Sequence, residues 1–310
     1  MGIRVISAGP LSTIQDLGRF KVMKNGFTQS GAMDLRSARL ANRLVNNEEG
    51  CALVEMTLMG MTVEFDREYI VAVTGADVMP QINGRAVKMN KAYRVKSGDT
   101  LKMGAAQNGC RAYLAVSGGI AVSYFMNSFS TNLKSAIGGF DGRKLQNGDV
   151  LEAFEWDVSS LDIKNAFVKP DSYSNNITVR AVLGPQDFMF TKEDIKSFFE
   201  QKYTVSAQAD RMGIRLDGAP LKSKNGFDII SDGIVFGSVQ VPESGMPIIL
   251  MADHQTTGGY AKIATVISVD LPLLAQARPN DTVNFEQVTV KQAEGLAKKE
   301  NKLFKRLRLY

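Results

Sequence analysis

The side chains best suited to chemistry are gathered in one decapeptide, Met251-Ala252-Asp253-His254-Gln255-Thr256-Thr257-Gly258-Gly259-Tyr260. It brings together a carboxylate, an imidazole, a carboxamide, two hydroxyls and a phenol beside two glycines that let a backbone come close. Such a set can hydrogen-bond an amide, a lactam or a carboxylate, and its backbone N–H groups can face a developing oxyanion. The same residues also make a hydrogen-bonded turn at a strand end, and both readings stand at this point. A second cluster, Ser206-Ala207-Gln208-Ala209-Asp210-Arg211-Met212-Gly213, supplies a neighbouring acid and base, with a structural Asp–Arg pair as the alternative. A third, Gln29-Ser30-Gly31-Ala32-Met33-Asp34, sets a hydroxyl and a carboxylate among the N–H groups of a helix start. That arrangement suits capture of an anion or carboxylate, and plain helix capping explains it equally well.

Other chemistries are excluded by what the chain lacks. His254 is the one histidine of the chain, so there is no multi-histidine metal site, no metal centre is expected, and a Ser-His-Asp triad has a single candidate base with no G-x-S-x-G elbow. No G-x-x-x-x-G-K-[ST] loop and no strand-linked G-x-G-x-x-G is present, so ATP, if used, is bound by a partner or by an unfamiliar loop. Val22-Met23-Lys24-Asn25 and Val87-Lys88-Met89-Asn90 faintly resemble the Met-Lys-Met hairpin that carries biotin. Neither matches it, and no covalent biotin is expected on this chain.

The elements that must position these clusters read mostly as strands. Met61–Phe65 alternates polar and apolar residues; the apolar run 70–73 and the segment 111–116 also read as strands, and glycines at 75, 118, 119 and 148 bound them. One stretch in the first half reads as a helix: Leu35, Ala38, Ala41, Leu44 and Val45 share a face, with Ser30 or Asp34 as cap and Asn46-Asn47 as stop. Many short strands with 28 glycines favour barrels over a doubly wound sheet. A polar stretch from about 156 to 176 is the expected linker, giving domains over 1–158 and 176–310. The halves echo each other weakly, and turns of one kind recur at Gly98-Asp99, Gly148-Asp149 and Asn280-Asp281.

Composition narrows the class. With 310 residues, 44% hydrophobic and 22% charged, the chain is expected to form about two globular domains. No apolar run approaches the roughly 18 residues of a membrane span, and the N-terminus lacks the h-region of a signal peptide, so a cytoplasmic protein without a membrane partner is expected. Cys51 and Cys110 read as buried small hydrophobes rather than as a disulfide or metal pair. The net charge of +5 sits entirely after residue 290, where seven basic residues face two acids on an amphipathic helical pattern. A solvated helix face explains it, and no nucleic-acid partner is expected.

The ordered set of motifs resembles a known family over about residues 3–286. The motifs are 9–19 (GPLSTIQDLGR), 30–34 (SGAMD), 41–45 (ANRLV), 74–77 (TGAD), 115–120 (AVSGGI), 210–213 (DRMG), 231–234 (SDGI), 240–242 (QVP) and 255–260 (QTTGGY), together with Glu55 in its strand. The chain is identified as a member of the carboxyltransferase-like subunit family (allophanate hydrolase subunit 2 family), which includes the C-type subunit of 5-oxoprolinase, the KipA-like antagonists of a sporulation-kinase inhibitor, and half of the urea carboxylase carboxyltransferase domain. The resemblance implies two cyclophilin-like β-barrel domains. It also implies work in a complex with a homologous B-type subunit (KipI-like, allophanate hydrolase subunit 1 family) and with an A-type subunit of the LamB/YcsF kind. In the 5-oxoprolinase branch a small cyclic amide is opened to glutamate at the expense of ATP shared with the partner. In the urea carboxylase branch a carboxyl group moves from carboxybiotin to urea, and in the antagonist branch the chain only binds its partner.

On the 5-oxoprolinase reading, Asp210, Arg211, His254, Gln255 and Thr257 are the expected catalytic residues, and Ser30, Asp34, Thr256, Gly258 and Tyr260 the expected substrate-binding ones. The chain departs from the family pattern at two positions. His254 stands where arginine is frequent, and Phe129 replaces the arginine of a Gly-Ser-Arg-Ser-Thr stretch. Each change removes a cationic donor.

Overall fold

A computed structural model describes residues 2–159 and 161–306. The chain is mainly β and forms two compact units, one of residues 2–20 and 30–173, the other of residues 21–29 and 174–306. The first unit holds β1 (Ile3–Ser7), β2 (Ser12–Gln15), β3 (Leu53–Thr57), β4 (Thr62–Glu64), β5 (Tyr69–Asp77), β6 (Gln81–Ile82), β7 (Arg85–Ala86), β8 (Ala92–Val95), β9 (Thr100–Lys102), β10 (Asn108–Val116), β11 (Val150–Leu151) and helix α1 (Leu35–Leu44). They form two antiparallel sheets, β11-β1-β4-β9-β6-β7 and β2-β3-β10-β5-β8, around one apolar core. Alternation explains how β5 and β10 can be apolar almost throughout. Tyr69, Val71 and Val73 enter the core, while the opposite face of β5 lies under α1, where the Thr74 hydroxyl donates to the Ser37 carbonyl at 2.7 Å. Asp34 caps α1 by accepting from the Ser37 N–H at 2.9 Å.

The second unit holds β12 (Asn176–Leu183), helix α2 (Lys192–Glu200), β13 (Tyr203–Val205), β14 (Gly213–Asp217), β15 (Asp228–Gly233), β16 (Ser238–Val241), β17 (Ile248–Leu250), β18 (Thr257–Val266), α3 (Leu271–Ala275), β19 (Thr282–Gln287) and α4 (Val290–Arg306). Seven strands, in the order β12-β19-β13-β14-β17-β16-β18, close into a barrel through the β12–β18 pairing. β15 lies outside the ring and adds to β18 alone. A capping box of Thr191 and Asp194 starts α2, whose Phe198 stacks on Phe285 at 4.4 Å between ring centroids. No helix among the described residues is long and apolar enough to cross a membrane. Both cysteines are free; Cys110 is buried as expected, but Cys51 is only half-buried.

The three recurring turns share one construction. The Asp99, Asp149 and Asp281 carboxylates accept from the N–H three residues earlier at 2.7, 2.7 and 2.8 Å. The preceding residue is left-handed each time: Gly98 at φ 83°, Gly148 at φ 90° and Asn280 at φ 73°. Each turn also exchanges two backbone hydrogen bonds with one residue in or next to a strand, respectively Phe65, Val5 and Val205. The three turns are therefore one repeated structural device, with asparagine doing at 280 what glycine does at 98 and 148.

Candidate functional site

The decapeptide spans a tight loop and the start of β18. The loop is tied down by backbone bonds, Met251 N–H to Met212, Asp253 N–H to Arg211 and Ile234 N–H to the Thr256 carbonyl. Arg211 and Asp253, both buried, meet as a fork, with Nε and Nη2 donating to the two carboxylate oxygens at 2.8 and 3.1 Å. The acid that pairs with Arg211 is thus Asp253 rather than Asp210. Asp210 instead closes its own turn by accepting from the N–H groups of Met212 and Gly213 at 2.8 and 3.1 Å.

His254 is fully buried. Its Nδ1 lies 2.7 Å from the Gln255 carbonyl, which can only accept, so Nδ1 carries the proton. Nε2 is then the bare nitrogen, and it meets no hydrogen-bond partner among the described residues. Burial holds this imidazole below its usual range, outweighing the Gln255 carbonyl and the Asp253 charge, which both favour the cation. The folded value lies below the unfolded one of about 6.5. Its contribution to stability is therefore fully present above about pH 6.5 and is lost as pH falls through the folded value. Urea midpoints measured at pH 7.5 and 5.5 should fall more for the wild type than for His254→Gln; equal declines would mean that the imidazole titrates as if in water.

Ser30 and Asp34 belong to the first unit, where the helix-start N–H groups already have an anion of the chain's own. Glu55 accepts from the Met33 N–H and the Tyr113 hydroxyl, each at 2.8 Å, and Tyr113 in turn accepts from the Asp34 N–H. Ser30 accepts from the Asn132 amide at 3.2 Å. Close by in sequence, Asp16 accepts from the Ser128 and Ser130 hydroxyls and from the Phe129 N–H. The Phe129 ring packs on Tyr124 at 4.8 Å between centroids. These contacts tie the 30–34 segment to β3 and β10 and the 128–132 segment to Asp16 and Ser30.

The second unit does present a polar wall to an open cleft. Along β16, Val239 and Val241 face the barrel interior and Gln240 faces out; along β18, Ala261 and Ile263 face in and Lys262 faces out. Lys262 is buried on that outer face because β15 and the 184–189 segment cover it. Its ammonium donates to the Asp232 carboxylate at 2.8 Å and to the Gly233 carbonyl at 3.1 Å. Gln186 locks the pair: its carbonyl oxygen accepts from the Lys262 N–H at 3.3 Å, and its amide donates to Asp232 at 3.3 Å. Asp232 has a different exposure from its partner, with 54% of its side chain open to solvent against 3% for Lys262. Lys262, the Gly233 N–H and Gln186 together hold the Asp232 carboxyl below the usual carboxylate range.

Asp232, Gln186, Phe188, Met189, Asp228 and Ile230 line this cleft of about 530 Å³, within the size range of small-molecule sites. Three residues expected from the sequence flank it. Gly258 and Thr257 pair with Asp232 and Gly233, and Tyr260 pairs with Asp228. A Cβ on Gly258 would come within 2.4 Å of the Gln240 amide and 2.6 Å of the Ile234 side chain, so both side-chain ends would have to shift to admit one. Gln255 and Thr256 sit in the loop just before. Asp232, Lys262 and Gln186 are absent from the set expected from sequence, although the signal was present. Lys262 is a single charge inside the apolar strand Ala261-Lys262-Ile263-Ala264, and a buried lysine needs an acid partner.

The wall can orient rather than abstract. A carboxylate held by a cation, an amide and a backbone N–H is a weak base but a firm acceptor for a ligand N–H group.

Comparison with known proteins covers nearly the whole chain. The family described as carboxyltransferase domain, subdomain A and B, matches residues 25–287. The chain is 38% identical to the 5-oxoprolinase C subunit of Haemophilus influenzae, covering 96% of this chain and 94% of that protein. It is 37% identical to the 5-oxoprolinase C subunit of Escherichia coli, covering 98% and 97%. Among solved structures, the K. lactis urea amidolyase superposes with a TM-score of 0.90 at 30% identity, over 98% of this chain. The chain spans only 20% of that longer protein.

Proposed function

The chain belongs to the carboxyltransferase domain, subdomain A and B, family, and we propose that it is the C-type subunit of an ATP-dependent 5-oxoprolinase, opening 5-oxo-L-proline to L-glutamate. The observation that carries this reading is identity of 37–38% to proteins of that name over almost the full length of both partners. The cleft beside Asp232 supports it. A lactam offers one N–H donor, and the exposed carboxylate offers a fixed acceptor for it. The apolar side chains of Phe188 and Met189 suit the methylene edge of the ring. Lys262 and Gln186 position Asp232; Thr257, Gly258 and Tyr260 shape the neighbouring strand. Asp210, Arg211, Ser30 and Asp34 take structural roles. His254, neutral and buried, holds the loop that leads into β18.

ATP is used by the complex together with the homologous B-type subunit, and the A-type subunit of the LamB/YcsF kind completes ring opening. The test is ATP-dependent glutamate release from 5-oxoproline by co-purified subunits, with and without this chain. Activity that requires the chain is expected. A folded complex that releases no glutamate would overturn the assignment. One observation favours a second reading, transfer of a carboxyl group from carboxybiotin to urea or a similar amide: the close superposition on the urea amidolyase segment. Urea-dependent turnover with a biotinylated carrier would select it.

A further inference from the structure

Asparagine followed by glycine readily loses its side-chain amide, because glycine puts no side chain in the way of ring closure onto the asparagine carbonyl. The chain contains five such pairs, with asparagine at 25, 83, 108, 147 and 225. Four of them are restrained at one of the two groups that must meet. Gly26 donates its N–H to the Met23 carbonyl at 3.0 Å, and Gly148 donates to the Val5 carbonyl at 2.8 Å. The Asn147 side-chain oxygen also accepts from the Ala8 N–H at 2.9 Å. Asn83 donates to the Asp99 carboxylate at 2.7 Å and accepts from the Thr100 N–H at 2.9 Å. Asn108 clasps the backbone of Tyr173, donating to its carbonyl at 2.7 Å and accepting from its N–H at 2.8 Å. The fifth pair differs. Asn225 and Gly226 are exposed, and neither the Asn225 carboxamide nor the Gly226 N–H has a hydrogen-bond partner among the described residues. Their loop is held on either side of the pair: the Lys224 N–H donates to the Met189 carbonyl at 2.9 Å, and the Ser223 hydroxyl to the Gly226 carbonyl. A Cβ on Gly226 would meet no atom within 4 Å, so the space beside this peptide is open.

We propose that the fold singles out Asn225 as a site of spontaneous modification, converted through a succinimide to aspartate and isoaspartate while the protein stays folded. The Gly226 nitrogen gives up its proton and attacks the Asn225 side-chain carbonyl carbon. A new N–Cγ bond closes the five-membered ring, the Cγ–Nδ2 bond breaks, and the amide nitrogen leaves as ammonia with that proton. Water then opens the ring at either carbonyl. One opening gives aspartate, and the other gives isoaspartate, whose main chain is one methylene longer. Asn225 lines the cleft beside Asp232, so the product places a third carboxylate on a wall that already carries Asp228 and Asp232. A substrate with its own carboxylate, as 5-oxoproline has, is then repelled. That consequence rests on the proposed function; the chemistry at Asn225 does not.

The experiment holds the full native chain at mildly alkaline pH and follows each Asn-Gly peptide by mass, reading the gain that replaces NH by O, with a parallel sample in denaturant. In the native chain the peptide spanning Asn225 should convert about tenfold faster, or more, than any of the other four, which react only after local opening. In denaturant all five should convert at similar rates, because the ranking comes from the fold. Asn225→Gln, which would have to close a larger ring, should remove the fast phase of ammonia release from the native chain. Conversion at Asn225 no faster than at the other four would overturn the proposal, as would a ranking that persists in denaturant. The effect on the cleft is read separately in the assembled complex, where Asn225→Asp should raise KM for 5-oxoproline more than it lowers kcat; an unchanged KM would overturn that effect. Conversion at Asn225 in a complex that releases no glutamate would leave the modification site standing and remove the 5-oxoprolinase reading.

Discussion

Asp232→Asn should lower kcat/KM for 5-oxoproline by about 10- to 100-fold, the loss associated with removing the charge from a hydrogen bond. The substitution keeps the shape of the side chain. Its remaining oxygen can still accept from Lys262, and the Gly233 carbonyl continues to hold the ammonium, so a folding defect is not expected. Assembly of the complex should be unchanged. Lys262→Met is the informative companion. It leaves behind a carboxylate that is already more than half exposed, so no buried charge is stranded. Asp232 then loses its main restraint, and its carboxyl returns toward the ordinary range near 3.9. The acid limb of the pH–activity profile should move upward in Lys262→Met relative to wild type. An unchanged profile together with full activity in Asp232→Asn would remove Asp232 from the site.

How much of this was legible in the sequence depends on whether the signal is local. Asp34 as cap of α1, the three Asp turns and the basic terminal helix are fixed by residues within a few positions of each other, and each has the expected form. Both glycine-flanked and alternating segments are strands, because alternation and left-handed turns are properties of the chain itself. The site is different. Lys262 finds Asp232 30 residues away and Gln186 76 residues away, and only closure of the barrel with β15 laid outside it brings them together. Arg211 illustrates the same limit. Asp210 is adjacent in sequence, yet its carboxylate is engaged by two backbone N–H groups, and the guanidinium turns to Asp253, 42 residues on. The decapeptide runs into β18, which pairs with the strand bordering the cleft. Its most polar members stabilise the loop, and the exposed carboxylate comes from the strand beside it.

Asp253→Ala should be the most destabilising single change in the second unit, costing about 3–5 kcal/mol, the usual result of leaving one member of a buried ion pair uncompensated. Arg211 is buried along its length, so its guanidinium cannot reach water without dragging the 251–254 loop away from Met212. The effect should appear in denaturant unfolding as a lower midpoint for the transition of this unit. Replacing both partners, Arg211→Met with Asp253→Leu, should cost markedly less, since apolar side chains of similar volume leave no charge behind. The pair of experiments also decides between two roles for Arg211. If the guanidinium only holds the loop, the double variant keeps most of the complex's activity at temperatures where it is folded. If activity is lost while unfolding and His254 titration stay as in the wild type, Arg211 handles substrate charge and the structural assignment fails. The geometry favours the first result: both carboxylate oxygens of Asp253 are engaged by the Arg211 fork at 2.8 and 3.1 Å, and neither residue lines the cleft beside Asp232.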